Sequence, residues 1–404
     1  MATPFDIIIV GAGPAGAVCA TVCARKGMRV LIIEREKFPR DKVCGDCLNP
    51  AAWKVLQRLG VDDRIRSIPH SQLKKVDIST INGRIFSFPL PPSSTGEIGI
   101  RRRDLDMALI QTARAAGAAF LENTPVTAID GQWQVAAGGK FYTAKTLIAA
   151  DGRNSTVARL LGIMPAQQKD RVGLQTHLPL AKDQIDSVRM QLHPEGYSGG
   201  ASIGDNLWNL CLVARGDKID ALKERATKLW KLPPYLKWKS LSPLSRRPLT
   251  TANDSLFLVG DAARVVEPFT GEGIYYALAS GELAGQYINE PAIYRKKHAE
   301  LYRGRLWVNQ LAKWAVLHPV ATSWMLENLP AKKLLQYLTT KVTAPETIEP
   351  IEEINDPIRR RVFRPALPHA TVVLHESRSN APSHDAHASR EMVPFPPPCD
   401  VHKP

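Results

Sequence analysis

The sequence predicts an α/β protein with a Rossmann-type domain, an inserted β-sheet domain and a C-terminal helical segment. A glycine-rich turn lies between two apolar runs near the N-terminus, in the order of a strand, a helix and a second strand. Alternating runs such as RVGLQTHLPL follow, and they are typical of half-buried strands. After Pro291, apolar residues recur at helical spacing. We expect a discontinuous α/β domain (1–66, 101–160 and 249–290), a β-sheet domain (67–100 and 161–248), a helical region (291–344) and a Pro-rich, disordered tail (345–404).

Composition and charge limit the class of protein. The chain has 404 residues, enough for a large core. Its 53 Lys and Arg against 39 Asp and Glu give a formal net charge of +14, which favours anionic partners. The cations are scattered without interleaved aromatic residues, so we expect no nucleic-acid binding. The first residues lack a basic stretch followed by an apolar one, so we expect no cleaved signal, and no run approaches the ~18 apolar residues that span a bilayer. We therefore expect a cytoplasmic protein that can contact a membrane surface.

The first strand, turn, helix and second strand form a dinucleotide-binding motif. The turn reads Gly11-Ala-Gly-Pro-Ala-Gly16, which is G-x-G-x-x-G. Gly11 permits the tight turn, Gly13 lets a pyrophosphate approach the backbone, and Gly16 lets the helix pack closely on the strand. Glu34 ends the second strand, 18 residues after Gly16, where a carboxylate accepts the hydroxyls of an adenosine ribose. The predicted contacts to the dinucleotide are Gly11, Gly13, Ala15, Gly16, Glu34 and Arg35.

Two later segments distinguish between NAD and FAD, which use the same glycine turn. TLIAADGRNSTVAR places Asp151-Gly152 at the end of an apolar strand, and SLFLVGDAARVVEPFTGEGIYYALASGELAG places Gly260-Asp261 at the end of another. With these three fingerprints, the chain from Phe5 to Leu283 resembles the FAD-dependent oxidoreductases of the p-hydroxybenzoate hydroxylase fold. The resemblance implies FAD as the cofactor and a glutathione reductase/p-hydroxybenzoate hydroxylase-like FAD-binding domain.

The resemblance also implies further contacts to FAD. Asp261 would hold the ribityl chain, and the turn Pro268 to Ile274 would present backbone N–H groups and a helix N-terminus to the flavin. In GIRRRDLDMALIQTARAAGA, Arg102 is the arginine expected to reach FAD, with Arg101 and Arg103 solvated beside it. The implied FAD contacts are Cys44, Arg102, Asp151, Gly152, Gly260, Asp261, Pro268, Gly271, Gly273 and Ile274.

Within this fold, GEGIYYALASGELAG and FPRDKVCGDCLNP are similar to the geranylgeranyl reductase branch. Halogenases of the fold carry W-x-W-x-I-P, whereas this chain has GDNLWNLCLVARGD with Trp208 alone, so halogenation is disfavoured. The chain also departs from the reductases. Their aromatic Y-x-W-x-F-P segment is replaced by HPEGYSGGASIGDNLWNLCLV, which does not predict a long prenyl substrate.

Cys44 and Cys47 form a single C-x-x-C pair, without the second pair of ligands that a zinc site needs, so we expect no metal. If CGDC lies against the flavin, as the resemblance implies, Cys44 could tune it, donate a proton or exchange with Cys47 as a dithiol. The alternative is a small residue that packs closely. Asp46 could assist proton transfer, or it could be a solvated carboxylate. Cys44 and Asp46 are the candidate catalytic residues, although the flavin carries the chemistry.

Other residues are assigned less specific roles. Gln175, His177 and His193 are possible polar groups of a β-sheet roof over the flavin. In the C-terminal helices, Trp307, Leu311, Trp314 and Leu317 recur at helical spacing. That pattern predicts a helix packed on its own domain or, alternatively, a surface that presents Trp and Lys to lipid or to a partner.

The resulting hypothesis is an FAD-dependent oxidoreductase that reduces C=C bonds of a small, apolar, isoprenoid-like substrate. One alternative is a monooxygenase that hydroxylates an aromatic or polyketide-like substrate. Another is a flavin-binding electron-transfer protein without a small substrate. Since no separate NAD(P)H domain is evident, we expect either transient binding of NAD(P)H or reduction by a carrier protein.

Overall fold

A computed structural model describes residues 5–90, 96–166 and 170–343. The predicted tail, 345–404, lies outside the described residues. The helices are α1 Pro14–Arg25, α2 Ala52–Arg58, α3 Asp62–Arg66, α4 Arg102–Ala115, α5 Thr156–Leu160, α6 Ile219–Leu229, α7 Gly273–Gln286, α8 Pro291–Leu301, α9 Leu306–Leu317, α10 Pro319–Asn328 and α11 Ala331–Thr343. Short 3₁₀ turns occur at Lys182–Gln184, Gly260–Ala262 and Pro268–Thr270.

The strands alternate with these helices in the N-terminal part and dominate the middle of the chain. They are β1 Phe5–Val10, β2 Val30–Ile33, β3 Cys47–Leu48, β4 Ser71–Gln72, β5 Lys75–Ser79, β6 Ile85–Pro89, β7 Ile98–Gly99, β8 Ala119–Leu121, β9 Val126–Asp130, β10 Gln134–Ala137, β11 Lys140–Ala149, β12 Arg171–Pro179, β13 Ser187–His193, β14 Gly196–Ser202, β15 Leu207–Arg215, β16 Lys239–Leu241, β17 Ala252–Asn253 and β18 Leu256–Leu258.

An eight-stranded sheet forms the Rossmann-type part, with the order β17-β18-β11-β1-β2-β8. The two remaining strands lie off this path, since β10 pairs with β11 and β9 pairs with β10. The strands β18, β11, β1, β2 and β8 run parallel. β1 and β2 are apolar runs, and Ile7, Ile8 and Ile9 are fully buried, because helices or strands cover both faces of a parallel sheet. The predicted α/β class is confirmed.

A seven-stranded sheet, in the order β16-β12-β15-β14-β13-β5-β6, forms the second layer. All its neighbouring strands are antiparallel except β13 and β5, which are parallel. A third, small sheet has the order β3-β7-β4, and its short strands belong to the segments that link the two larger sheets. It brings the C-x-x-C segment, through β3, next to β7.

α1 packs between the first sheet and α7. The two helices approach so closely that a Cβ at Gly281 in α7 would lie 2.2 Å from the carbonyl oxygen of Ala15 in α1. Glycine is therefore required at Gly281, and this contact fixes the middle of α7 against the first turn of α1.

The C-terminal helices α9, α10 and α11 pack against one another and against the second sheet. The tryptophan and leucine face predicted from helical spacing is not the packed face. In α9 the buried residues are Val308, Asn309 and Val316, whereas Trp307 is 44% and Trp314 42% exposed. Among the described residues, no helix is long and apolar enough to cross a membrane.

Candidate active site

The glycine turn has the geometry that a bound phosphate requires. Gly11 adopts φ +102°, and a Cβ there would lie 2.5 Å from the carbonyl oxygen of Ala150. A Cβ at Gly16 would lie 2.0 Å from the oxygen of Gly11. By contrast, the space beside Gly13 is open, with Arg40 the nearest group at 3.8 Å. Two glycines therefore close the turn, and the third leaves the approach to the α1 N-terminus free.

The carboxylate of Glu34 lies beside this turn. Its two oxygens accept the N–H groups of Ala12 at 2.9 Å and of Glu36 at 3.0 Å. Each oxygen keeps a lone pair for a ribose hydroxyl. The side chain of Arg35 is exposed and pairs with Glu36, not with a residue of the glycine turn.

Two arginines share one buried carboxylate next to the turn. Arg102 donates to both oxygens of Asp106 at 2.9 Å, and Arg40 donates to the same carboxylate at 3.0 Å. Burial disfavours ionisation of Asp106, but the guanidinium groups of Arg102 and Arg40 outweigh it and hold the pKa of Asp106 below its usual range. Arg40 also lies 3.7 Å from the carboxylate of Glu34, so the charge of Arg40 is shared between two buried carboxylates. Sequence analysis identified Arg102 and missed Arg40, which lies in a loop without a motif.

Two cations lie at the D-G segment, Lys42 from an earlier loop and Arg153 from the segment itself. Gly152 has φ +83°, and a Cβ there would lie 3.4 Å from the ammonium nitrogen of Lys42. Burial, reinforced by neighbouring arginines, lowers the pKa of Lys42 to about 8. Arg153 donates to Asp261 at 3.0 Å, which links the D-G and G-D segments. One oxygen of Asp151 accepts the N–H of Val157 in the first turn of α5, whose N-cap is Ser155. The other oxygen, Oδ1, is buried without a hydrogen-bond partner among the described residues.

The turn before α7 is held from both ends. Glu267 receives two hydrogen bonds from Arg171 of β12, at 2.8 and 2.9 Å, and Glu272 receives one from Arg305 at 2.7 Å. Asn309 of α9 joins the two, since it accepts the N–H of Glu267 and donates to Glu272. We call these five residues the turn clamp. They fix the short segment that contains Gly271, at φ +69°, and the N-terminus of α7.

The C-x-x-C segment is held by the second sheet. The N–H of Cys44 donates to Gln175 at 3.2 Å, and its carbonyl accepts from Asn209 at 3.0 Å and from the thiol of Cys211 at 3.4 Å. Burial raises the pKa of Cys44, Cys47 and Cys211, so all three are protonated thiols at neutral pH. No group of three or more metal-ligating side chains occurs in the described ranges.

Asp46 occupies a position that the sequence did not indicate. It is 1% exposed, in left-handed backbone at φ 55°, and is not a solvated carboxylate. Its carboxylate accepts from Gln175 at 3.1 Å and lies 3.0 Å from the ring nitrogen of His177. Asp46 lines a second cleft of about 370 Å³, the basic cleft, which shares Lys42 and Arg102 with the main cavity described below. The residues that line it are Asp41, Lys42, Asp46, Arg101, Arg102, Arg103, Gln175, Thr176, His177, Tyr235, Leu236, Lys237 and Lys239.

The main cavity, of about 380 Å³, lies between the glycine turn, the turn clamp and the second sheet. Of the predicted contacts, the structure brings together Gly13, Ala15, Cys44, Arg102, Gly152, Gly260, Asp261, Pro268, Gly271, Gly273 and Ile274 on its wall. Gly11, Gly16, Glu34, Arg35, Asp46 and Asp151 are not on this wall. The part of the wall supplied by the second sheet, Phe269 and α11 is apolar, and we call it the apolar chamber. It includes Val76, Ile78, Leu90, Val188, Met190, Leu241, Leu244, Phe269, Leu335 and Leu338.

The polar part of the cavity fits FAD. The wall combines an open glycine turn, the cations Lys42, Arg102 and Arg153, the carboxylate of Asp261 and the N-terminus of α7. The ribose acceptor Glu34 lies beside the turn, outside this wall, where it accepts the N–H of Ala12. Arg153 adds a donor, since its Nη1 atom is buried without a partner among the described residues. Residues that suit FAD and an adjoining apolar chamber define a flavin-dependent oxidoreductase, and bound FAD would supply two-electron redox chemistry.

Comparison with known proteins gives the family. The model of the FAD binding domain family matches residues 4–193. The chain is 30% identical over 326 residues to the menaquinone reductase of Mycolicibacterium smegmatis, covering 72% of this chain and 78% of that protein. It is 27% identical over 321 residues to digeranylgeranylglycerophospholipid reductase 1 of Methanopyrus kandleri, covering 70% and 80%. A solved geranylgeranyl bacteriochlorophyll reductase-like protein from Thermoplasma acidophilum has a TM-score of 0.65 at 22% identity, covering 89% of this chain and 96% of that one.

The chain belongs to the FAD-dependent oxidoreductases of the p-hydroxybenzoate hydroxylase fold, in their geranylgeranyl reductase-like branch. The resemblance predicted from the three sequence fingerprints is confirmed, as is FAD as the cofactor.

Proposed function

We propose that this enzyme uses FAD to reduce C=C bonds of an apolar, isoprenoid-like substrate. The observation that carries the proposal is the apolar chamber in the wall of the main cavity. A chamber with aliphatic walls binds hydrocarbon by burial, and it offers few polar groups to orient a charged or hydroxylated compound. The names of two relatives, menaquinone reductase and digeranylgeranylglycerophospholipid reductase, point to the same substrate class.

Different residues of the cavity would bind FAD, stabilise charge on it and exclude water. Arg40, Arg102 and Lys42 would hold the pyrophosphate of bound FAD through their charge, and Asp261 would accept hydroxyls of its ribityl chain. The turn clamp holds the backbone near Gly271 in place, so the N–H groups and the α7 N-terminus stabilise negative charge without rearrangement. Apolar walls exclude water from the reacting carbon atoms. The thiol of Cys44 lies on the same wall, and its role in catalysis stays a prediction.

The basic cleft supports a transient electron donor. Seven of its residues, Lys42, Arg101, Arg102, Arg103, His177, Lys237 and Lys239, are basic, and only Asp41 and Asp46 are acidic. Such a surface attracts the phosphates of NAD(P)H or the acidic face of a carrier protein. The exposed Lys237 gives a test, because K237E should slow reduction by NADPH or by a reduced ferredoxin and leave reduction by dithionite unchanged. If K237E is reduced as fast as the wild type by NADPH and by reduced ferredoxin, a donor site in the basic cleft is contradicted.

The C-terminal helices support a peripheral membrane contact. Trp307, Trp314 and Trp324 are between 42% and 60% exposed, and Leu311 of the same surface also lines the main cavity. Exposed tryptophans prefer the lipid interface. We expect the protein to sediment with phosphatidylglycerol vesicles and W314A/W324A to sediment less. Unchanged sedimentation of the variant would contradict contact through this surface.

The reaction is tested with FAD-loaded enzyme reduced by dithionite without oxygen and then mixed with geranylgeranyl or menaquinone substrates. A product two mass units heavier per bond supports reduction. An oxygenated product formed only in air supports the monooxygenase instead, and a flavin that reacts with carrier proteins but with no small molecule supports the electron-transfer protein. L338W should lower kcat/KM because Leu338 lines the chamber. L334W is the matched control, since Leu334 on the same helix is 51% exposed.

A further inference from the structure

Glu97 is a carboxylic acid on the wall of the main cavity without an ion-pair partner in the described part of the chain. Its main chain is fixed, because its carbonyl accepts the N–H of Leu73 at 2.9 Å and the side chain of Gln72 at 3.1 Å. Asp261, the other acid on this wall, is paired with Arg153. Glu97 is therefore anchored at its backbone, and its carboxyl group has no ion-pair partner among residues 5–90, 96–166 and 170–343.

The Glu97 carboxyl group lies where the polar groove meets the apolar chamber. A Cβ built on Gly271 would be 3.9 Å from Glu97 Oε1, so the carboxyl group borders the turn expected at the flavin. The titratable group that faces it is Cys47 of β3, whose pKa is raised by burial and then by Glu97. Burial alone raises the pKa of Glu97 to about 7.

We propose that Glu97 is the general acid that delivers the proton to the substrate carbon. This inference rests on the proposed C=C reduction. Saturating one C=C bond adds a hydride to one carbon and a proton to its neighbour. Reduced FAD supplies the hydride and is oxidised. The proton comes from Glu97, whose O–H bond breaks to leave a carboxylate that regains a proton from water.

The other candidates suit this role less well. A general acid works best when its pKa lies near the operating pH. Burial raises the pKa of the Cys44 and Cys211 thiols and of the Tyr197 phenol above their usual values, so these groups are weak acids at neutral pH. Asp46 faces the basic cleft and not the main cavity. Glu97 combines a place on the cavity wall with a pKa near neutrality. Lys42, on the same wall with a pKa lowered to about 8, lies instead beside Gly152, at the end of the cavity expected to hold the pyrophosphate.

The first test is the single-turnover oxidation of reduced, FAD-loaded enzyme by a geranylgeranyl substrate between pH 5 and 9. We expect the wild-type rate to fall as the pH rises through 7, because Glu97 loses its proton. E97Q should be at least about 100-fold slower, without that pH dependence and with unchanged FAD affinity, and E97D should recover part of the rate. C44S should keep the fall above pH 7, and E290Q, at an exposed carboxylate, should match the wild type. An E97Q rate equal to wild type, or the loss of the pH dependence in C44S, overturns the proposal.

The second test needs no turnover. Isotope-edited infrared difference spectra of the holoenzyme should show a protonated carboxyl band that titrates near pH 7 and is missing in E97Q. A carboxyl group that titrates at the usual value of a glutamate, near 4.5, overturns the role of Glu97 even where the reduction is observed. If the wild-type enzyme saturates no isoprenoid while the band still titrates near pH 7, the proposed C=C reduction is refuted. The role of Glu97 as proton donor to that substrate is then refuted with it.

Discussion

The buried ion pair between Arg171 and Glu267 allows a quantitative test of how the second sheet supports the flavin turn. Both side chains are 2% exposed, and two hydrogen bonds of 2.8 and 2.9 Å join them. R171M leaves the Glu267 carboxylate buried without its counterion. Breaking a buried pair in this way costs about 3–5 kcal/mol.

This cost converts to a change in melting temperature. Residues 1–349 form one compact unit, and an unfolding entropy of about 2.1 cal/mol/K per residue gives roughly 0.7 kcal/mol per kelvin for that length. R171M should therefore lower Tm by about 4–7 °C in a calorimetric scan at neutral pH. The double variant R171M/E267M should regain most of this loss, because an apolar pair of similar size replaces the ions.

Arg225 and Glu195 give the matched control. They have the same two-bond geometry, at 2.8 and 2.9 Å, but the Arg225 side chain is 48% exposed. An exposed pair contributes about 0–1 kcal/mol, so R225M should move Tm by about 1 °C or less. Equal falls in R171M and R225M, or a double variant no more stable than R171M, would refute the reasoning from burial.

Three further predictions follow. D106N should weaken FAD binding about tenfold, or ~1.4 kcal/mol, in a fluorescence titration, because the two arginines lose the carboxylate that orients them; unchanged affinity would contradict this. Burial lowers the pKa of His298 to about 4. The unfolded imidazole binds a proton near 6.5, so stability should fall as pH drops from 6.5 toward 4, by up to about 3 kcal/mol, and H298F should show a shallower fall in Tm over that interval. G281V should prevent α7 from packing on α1 and lower Tm steeply, whereas G216A, at a glycine whose nearest neighbour is 3.9 Å away, should change it little.

The sequence predicted those features that depend on local pattern. Buried strands, the glycine turn and Glu34 follow from short-range periodicity and spacing, and the fold class followed from them. Arg40 and Lys42 were missed because they lie in an irregular loop, where nothing in the local sequence shows that Asp106 and Gly152 will be their neighbours.

Asp46 shows why the orientation of a loop residue cannot be predicted from its motif. Its direction depends on a left-handed backbone, and its partners, Gln175 and His177, are about 130 positions away on β12. For α9, periodicity identified an apolar stripe but left open whether the domain covers it; in the structure Trp307 and Trp314 of this stripe are exposed. The contact of the Cys211 thiol with the carbonyl of Cys44 likewise joins residues 167 positions apart, which no local pattern predicts.

The turn clamp has a consequence for the order of events during synthesis. The glycine turn and Glu34 emerge early from the ribosome, but Glu272 obtains its arginine and Asn309 only when α9 has been made. Chains are made from the N-terminus, and their early segments fold before the rest appears. A nascent chain can thus form the adenosine end of the groove well before the flavin end. Stable loading of the cofactor therefore waits until residues 305–309 have left the ribosome.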